Sequence, residues 1–360
     1  MAGVACEAGR VRYRAAVRIA VVVAGGLVET LQAAPLLGTL RVADPASTIV
    51  LMAPPSVTRV AGGLPGLDEV VTLEALAPGA PRPDRWLAAL RALRTRRLEA
   101  VLLCSARLRD RTLAYASGIA RRAGLDGGPG AVLLTARVPA AAHENRVEAF
   151  LRLAGALGVE ERLHRPEYDP GEAARSLAEE RLVGSGFEDG RLLIAVAPGA
   201  GFADPIPGTP AWALAWDPER FAHLANQLGA RHGAGVVVLG TEADRDAADR
   251  MLDDVEAPVL DLCAGLALDE AAAVIERCDL LISGESPLLH LAAAVGTPAI
   301  GLYGPTDGAA RGPYGPGSRV VQGLPEATSG RDPGPLMRRI RVDDVLAGIE
   351  GVVAQAGSRL

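Results

Sequence analysis

Apolar positions recur along this chain in short blocks separated by stretches of helical spacing, and that alternation predicts its elements. Val17–Ala24, apolar but for Arg18, is a run of the kind that forms a strand buried on both faces. LVETLQAAPLLGTLR (27–41) follows with helical spacing, and TIVLMA (48–53) reads as a second strand. VVTL (70–73) gives a third strand, 84–97 a helix, EAVLLC (99–104) a fourth strand and AVLLT (131–135) a fifth after a further helix. Strand–helix–strand units repeated in this way predict a parallel sheet covered on both faces.

Residues 142–158, AHENRVEAFLRLAGALG, form an amphipathic helix that stops at Gly158. From there to about 190 the chain is charged and less regular, with Pro166 and Pro170. The alternation then restarts. Strands are expected at 191–199, 235–240, around 258–262, 279–283 and 298–304, with helices at 218–233, near 242–254, 268–277, 287–295 and 342–355. The chain therefore divides into 1–165, a linker region 166–190, and 191–360. Two doubly wound α/β domains in tandem, each Rossmann-like, leave a cleft at the C-terminal ends of their sheets.

Length agrees, since 360 residues exceed one ordinary core and suit two domains of roughly 150–200 residues. Aromatics make up only 3%, so the cores must be built from Ala, Val and Leu. A net charge of −6 gives no electrostatic case for nucleic acid as the main partner. All 37 basic residues are arginine, so chemistry that needs an amine must find another cation. Cys6, Cys104, Cys263 and Cys278 are scattered without a Cys-x-x-Cys pair and read as small core residues, neither a disulfide framework nor a zinc site. VRIAVVVAGGLV (17–28) is too short to span a bilayer and lacks a signal-peptide pattern, so a cytoplasmic location is expected. The preceding basic run RVRYRAAVR (10–18) could touch anionic lipid peripherally; a frayed, solvated terminus is the plainer reading.

The densest chemical signal is SGESPLLHLAAAVGTPAIGLYGPT (283–306). A polar loop after a strand enters a helix through Pro287, and the first amides of such a helix, with its dipole, make an anion site suited to phosphate. Ser283, Gly284, Glu285 and Ser286 sit at this junction, with Ser286 at the N-cap position and Pro287 at the first helical one. Locally, Ser286 reads equally well as a plain cap or as part of a phosphate cradle. His290, one turn inside, is either a satisfied core histidine or within reach of a phosphate.

Residues 283–315, continuing through GPTDGAARGPYG, resemble the C-terminal signature of the heptosyltransferase-like glycosyltransferases, family 9. The family's run is close to Ser-Asn-Asp-Ser-Gly-Pro-Met-His-Leu-Ala-Ala-Ala-Leu-Gly-Thr-Pro followed by a strand ending Gly-Pro-Thr. VETLQAAPLLGTLR, HENRVEAFLRLAGALGV, VAPGAG with Gly199, WDPERFAHLA and VVVLGTEADRDAADRM resemble further segments in the same order. The resemblance implies a GT-B fold, with the acceptor bound mainly by the first domain and a nucleotide-sugar donor, ADP-heptose, by the second. It also implies an inverting transfer without metal or other cofactor, in which an acidic residue at the first helix takes the acceptor's proton. Helix amides, hydroxyls and a lysine then stabilise the departing phosphates.

Several positions depart from the family pattern. The base falls on Glu29, preceded by Val28 where glycine is usual, and its side chain reaches about 1.5 Å further than aspartate. A carboxylate there would also complement the helix dipole. Glu285 replaces an aspartate, and Pro287 a glycine that would offer one more N–H. The lysine position falls near Leu214, within a loop, GFADPIPGTPAWALAW, that is longer than usual. Arg311 and Arg220 are the arginine candidates for its charge, each also readable as a surface residue. Glu242 or Asp244, past the VVVLG strand, could bond a ribose hydroxyl or serve only as helix-start acids. The expected function is sugar transfer from a nucleotide-sugar to a glycan or small-molecule hydroxyl, a natural product if the GC-rich composition marks an organism without lipopolysaccharide. The competing readings are a degenerate GT-B protein that binds nucleotide or a partner without turnover, and a nucleotide-sugar epimerase, which the family signature disfavours.

Overall fold

A computed structural model describes residues 17–77, 79, 82–160, 165–187, 191–200, 209–323 and 334–356. The first half runs β1 (Arg18–Val22), α1 (Leu27–Ala43), β2 (Thr48–Ala53), α2 (Thr58–Ala61), β3 (Glu69–Thr72), α3 (Pro83–Thr95), β4 (Ala100–Leu103), α4 (Leu108–Ser117), β5 (Arg121–Leu125), β6 (Ala136–Val138) and α5 (Arg146–Leu151). After α6 (Glu172–Gly184) the second half begins with β7 (Leu193–Ala197), α7 (Pro218–His232), β8 (Gly235–Val238), α8 (Arg245–Asp254), β9 (Val259–Asp261) and α9 (Leu268–Glu276). It continues with β10 (Leu280–Gly284), α10 (Pro287–Val295), β11 (Ala299–Tyr303), α11 (Gly308–Arg311), β12 (Arg319–Gln322), α12 (Gly334–Arg338) and α13 (Val342–Ala356).

Each half holds one six-stranded parallel sheet, ordered β3-β2-β1-β4-β5-β6 and β12-β11-β10-β7-β8-β9. The two orders are the same doubly wound topology, with the chain reversing direction between β1 and β4 and again between β7 and β10. At each reversal the outgoing connections diverge to opposite faces and leave a crevice at the strands' C-terminal ends. Register fixes those ends side by side: Ile19 lies opposite Ile49 and Ala100, and Leu281 opposite Ala195 and Ala299.

The apolar strands bury against helices on both faces, as their near-continuous Val, Leu, Ile and Ala predicts. One continuous core joins the two halves through α1, α9 and α10. Separate clusters fill the far faces, one under α3 and α4, the other under α7, α8 and α13. Trp216 is fully buried: it donates from Nε1 to the Ile340 carbonyl at 2.9 Å and meets Phe221 edge-on at 4.9 Å. Cys104, Cys263 and Cys278 are buried free thiols, as expected of small core residues; Cys6 lies outside the described residues. So does the basic run up to residue 16. Among the described residues no helix is long and apolar enough to cross a membrane.

Three segments differ from the sequence expectation. AVLLT is not a strand: Ala131–Leu133 is a 3-10 turn with Val132 85% exposed, and the fifth strand is Arg121–Leu125. The helix expected at 142–158 starts at Arg146 and tightens to 3-10 geometry over Arg152–Leu157. Within 166–190, read as irregular, α6 spans thirteen residues and buries Ala174, Ala178 and Leu182, one face at intervals of four.

Candidate active site

At the first switch point β1 ends and the chain turns through Gly25 and Gly26 into α1. Glu29, in the helix's first turn, folds back over that turn, and its Oε1 accepts the Ala24 amide at 3.2 Å. A methyl group on Gly25 would overlap the Glu29 carboxylate, so glycine is required there by close approach. The carboxyl is buried, and its pKa is raised chiefly by that burial; the Ala24 and Gly25 amides and the charges of Arg146 and Arg107 oppose the rise. A buried carboxylate with raised proton affinity is suited to act as a general base. Beside it, at the end of β4, Arg107 donates to the Ala24 carbonyl at 2.5 Å, and Ser105 donates to buried Asp110 at 2.5 Å. The thiol of Cys104, buried at the end of β4, is pushed well up by burial and further by the Glu29 charge.

At the second switch point β10 ends in Ser283 and Gly284 and the chain enters α10 through Glu285 and Ser286. Ser286 has the extended backbone of an N-cap (φ −148°, ψ 158°), yet its hydroxyl caps nothing and instead pairs with the Ser283 hydroxyl at 3.0 Å. The first amides of α10 therefore have no side-chain cap, which leaves an anion-seeking helix start. Glu285 does not stand alone: Arg311 pairs with one carboxylate oxygen, and the Thr306 hydroxyl donates to the other at 2.5 Å. His290 is buried, and burial first, then the charges of Arg311 and Arg146, push its pKa down to about 3; its bond with the Arg311 backbone acts the other way. The ring is neutral at physiological pH.

The sequence candidates at the flank separate. Gly199, just past β7, faces Asp244, and a methyl there would overlap the Asp244 carboxylate. Asp244 accepts both the amide and the hydroxyl of Thr241 at 2.8 Å, a capping box that closes the corner before α8. Gly199 thus lets two corners pack together, and Asp244 is committed to one of them; Glu242 is exposed. Leu214 has a buried side chain, but its carbonyl lies 2.5 Å from where a Gly284 methyl would stand. The segment at which the family lysine would fall therefore borders the α10 start, although its side chain does not serve it; residues 201–208 of that loop lie outside the described residues. Arg220 is tied to the carbonyls of Arg338 (2.7 Å) and Ile340 (2.5 Å).

The two halves meet at a seam that sequence reasoning missed. Asn145 caps α5, its Oδ1 accepting the Val147 amide at 3.0 Å, while its Nδ2 donates across the cleft to the Gly312 carbonyl at 3.1 Å. His143 meets Asp307 at 2.5 Å nearby. The next residue, Arg146, is exposed and within electrostatic reach of both Glu29 and His290. The signal was an asparagine ahead of a helical run, obscured because the helix was started at residue 142. Among the described residues no group of three or more His, Cys, Asp or Glu is arranged to hold a metal ion.

A sequence model described as glycosyltransferase family 9 (heptosyltransferase) matches residues 86–331. Lipopolysaccharide heptosyltransferase 2 of Escherichia coli K12 is 31% identical over 136 residues, which is 37% of this chain and 36% of that protein. The match thus spans about a third of the curated relative's length. The solved family 9 glycosyltransferase from Veillonella parvula superimposes with a TM-score of 0.78 at 20% identity, covering 96% of this chain and 99% of its own. E. coli heptosyltransferase WaaC, solved with ADP-2-deoxy-2-fluoro heptose, gives 0.67 at 19% identity, covering 93% and 99%. The fold is thus that of the GT-B glycosyltransferases of this family.

Proposed function

This chain belongs to glycosyltransferase family 9, and from that membership we propose that it transfers a heptosyl group from ADP-heptose to an acceptor hydroxyl with inversion. The observation that carries the reading is the pairing of two switch points: a buried, proton-seeking Glu29 in one half and an uncapped α10 start in the other. In this reading Glu29 removes the acceptor's proton as its oxygen attacks the anomeric carbon from the face opposite the diphosphate. The amides of α10 and the Ser283–Ser286 hydroxyl pair receive the departing diphosphate without a divalent metal. The nucleotide preference is supported by the ADP-sugar named with the WaaC structure.

The test is calorimetric titration with ADP, UDP, GDP and dTDP without added metal. Selective binding of ADP is expected; preference for another nucleotide discards the heptose, and binding of none discards the donor site. A second reading, a protein that binds nucleotide without turnover, is favoured by one observation, the commitment of Glu285 to Arg311 and Thr306. Consumption of ADP-heptose separates the two.

A further inference from the structure

The start of α10 has no side-chain cap, although two groups beside it are of the kind that caps a helix. The first is the Ser286 hydroxyl at the N-cap, which pairs instead with the Ser283 hydroxyl at 3.0 Å. The second is the carboxylate of Glu285, one residue earlier, because the free amides and dipole of a helix start attract negative side chains. Glu285 is buried, and both its oxygens are held by the segment after β11. Arg311 pairs with one through Nε, and the Thr306 hydroxyl donates to the other at 2.5 Å.

Arg311 is in turn anchored by its backbone. Tyr303, at the end of β11, donates its hydroxyl to the Arg311 carbonyl at 3.1 Å, and the His290 ring, on α10 itself, bonds the Arg311 backbone. Both of these side chains are buried. A buried ion pair adds little net stability over an apolar pair of similar size, because desolvating two charges offsets their attraction. Arg311, Thr306, Tyr303 and His290 are nevertheless all committed to one carboxylate beside a helix start that stays open.

We propose that Arg311 is a positioning residue: with Thr306 it neutralises Glu285 and holds it off the α10 amides, which keeps that helix start free for a diphosphate. The inference rests on the donor site proposed above. Released from Arg311, the carboxylate would place its negative charge beside the same amides, compete for them and repel the diphosphate. Arg311 therefore acts through Glu285 and not by touching phosphate.

The test measures affinity for the nucleoside diphosphate that wild type binds best, among ADP, UDP, GDP and dTDP. The variants are Arg311→Gln, Arg311→Lys, Glu285→Gln and the double variant Arg311→Gln/Glu285→Gln. Arg311→Gln is expected to weaken binding by about tenfold or more, and Arg311→Lys, which keeps the charge, by less than about threefold. Removing the carboxylate as well should return the double variant to within about threefold of wild type, and Glu285→Gln alone should tighten binding. A double variant as weak as Arg311→Gln overturns the proposal, since Arg311 would then meet the phosphates itself or serve only to hold its loop. No loss in Arg311→Gln, or no gain in Glu285→Gln, overturns it too; in each of these cases wild type still binds and the donor site stands. A wild type that binds none of the four overturns the donor reading and this proposal with it. If melting curves show that Arg311→Gln does not fold, Glu285→Gln decides alone: tighter binding supports the proposal and its absence overturns it.

Discussion

At the scale of single residues, Glu29 stands where folding and the proposed chemistry make opposite demands. Its pKa is raised above the ordinary 4.5, so the folded state holds the proton more tightly than the unfolded state does. Below pH 4.5 both states are protonated and the burial penalty is absent; as pH rises through the elevated value, stability is lost and stays lost at neutral pH. Glu29→Gln keeps an acceptor for the Ala24 amide and removes the charge. The variant should melt higher than wild type at pH 7.5, by a margin that closes toward pH 4.5, while transfer falls by about 10²–10⁴-fold. Melting curves at the two pH values and a turnover assay check both; undiminished turnover would remove Glu29 from the mechanism. The sequence could indicate Glu29 because register with a familiar helix start identifies a carboxylate. It could not indicate the partner of Glu285, because Arg311 lies twenty-six residues further on and reaches it only after β11 is laid beside β10.

At the scale of elements, apolar runs announced the central strands, and β1, β2, β4, β7, β8, β10 and β11 lie where those runs are. Periphery was harder to read. RRAGL carries two arginines and a glycine yet forms β5, because strands on both sides supply its pairing; AVLLT is apolar yet turns in the open. In both cases neighbours outweigh local composition. The loop corners were read as binding features, and the structure assigns one of them a packing duty. Gly199→Ala would drive a methyl into Asp244 and disturb its capping box, so a loss of about 1–3 kcal/mol in urea unfolding is expected. A variant as stable as wild type would show that this corner yields more easily than its geometry indicates.

At the scale of the whole molecule, the repeat of one sheet order in both halves was visible as a restart of the sequence pattern, but their mutual contacts were not, since these join residues far apart in the chain. Asn145 makes this testable. Asn145→Asp retains an oxygen for the Val147 amide and loses the N–H donated to Gly312, whereas Asn145→Ala loses both. Melting temperature should fall for alanine, by the equivalent of about 1 kcal/mol, and hardly for aspartate. Turnover should fall for both, with nucleotide affinity nearly unchanged; if aspartate turns over like wild type, the bond across the seam does not govern catalysis. A second join between the halves is sewn differently. There the backbone itself crosses, Tyr168 donating to the Ala294 carbonyl at 3.1 Å and Asp169 to the Gly63 carbonyl at 2.8 Å. Main-chain bonds at one join and side-chain bonds at the other make the two halves a book with a bound spine and a fore-edge held only by clasps. For the transfer proposed above, this gives opening a direction: the pages would part at His143 and Asn145, where only side chains have to let go, while the backbone bonds at Tyr168 and Asp169 hold the two sheets in register.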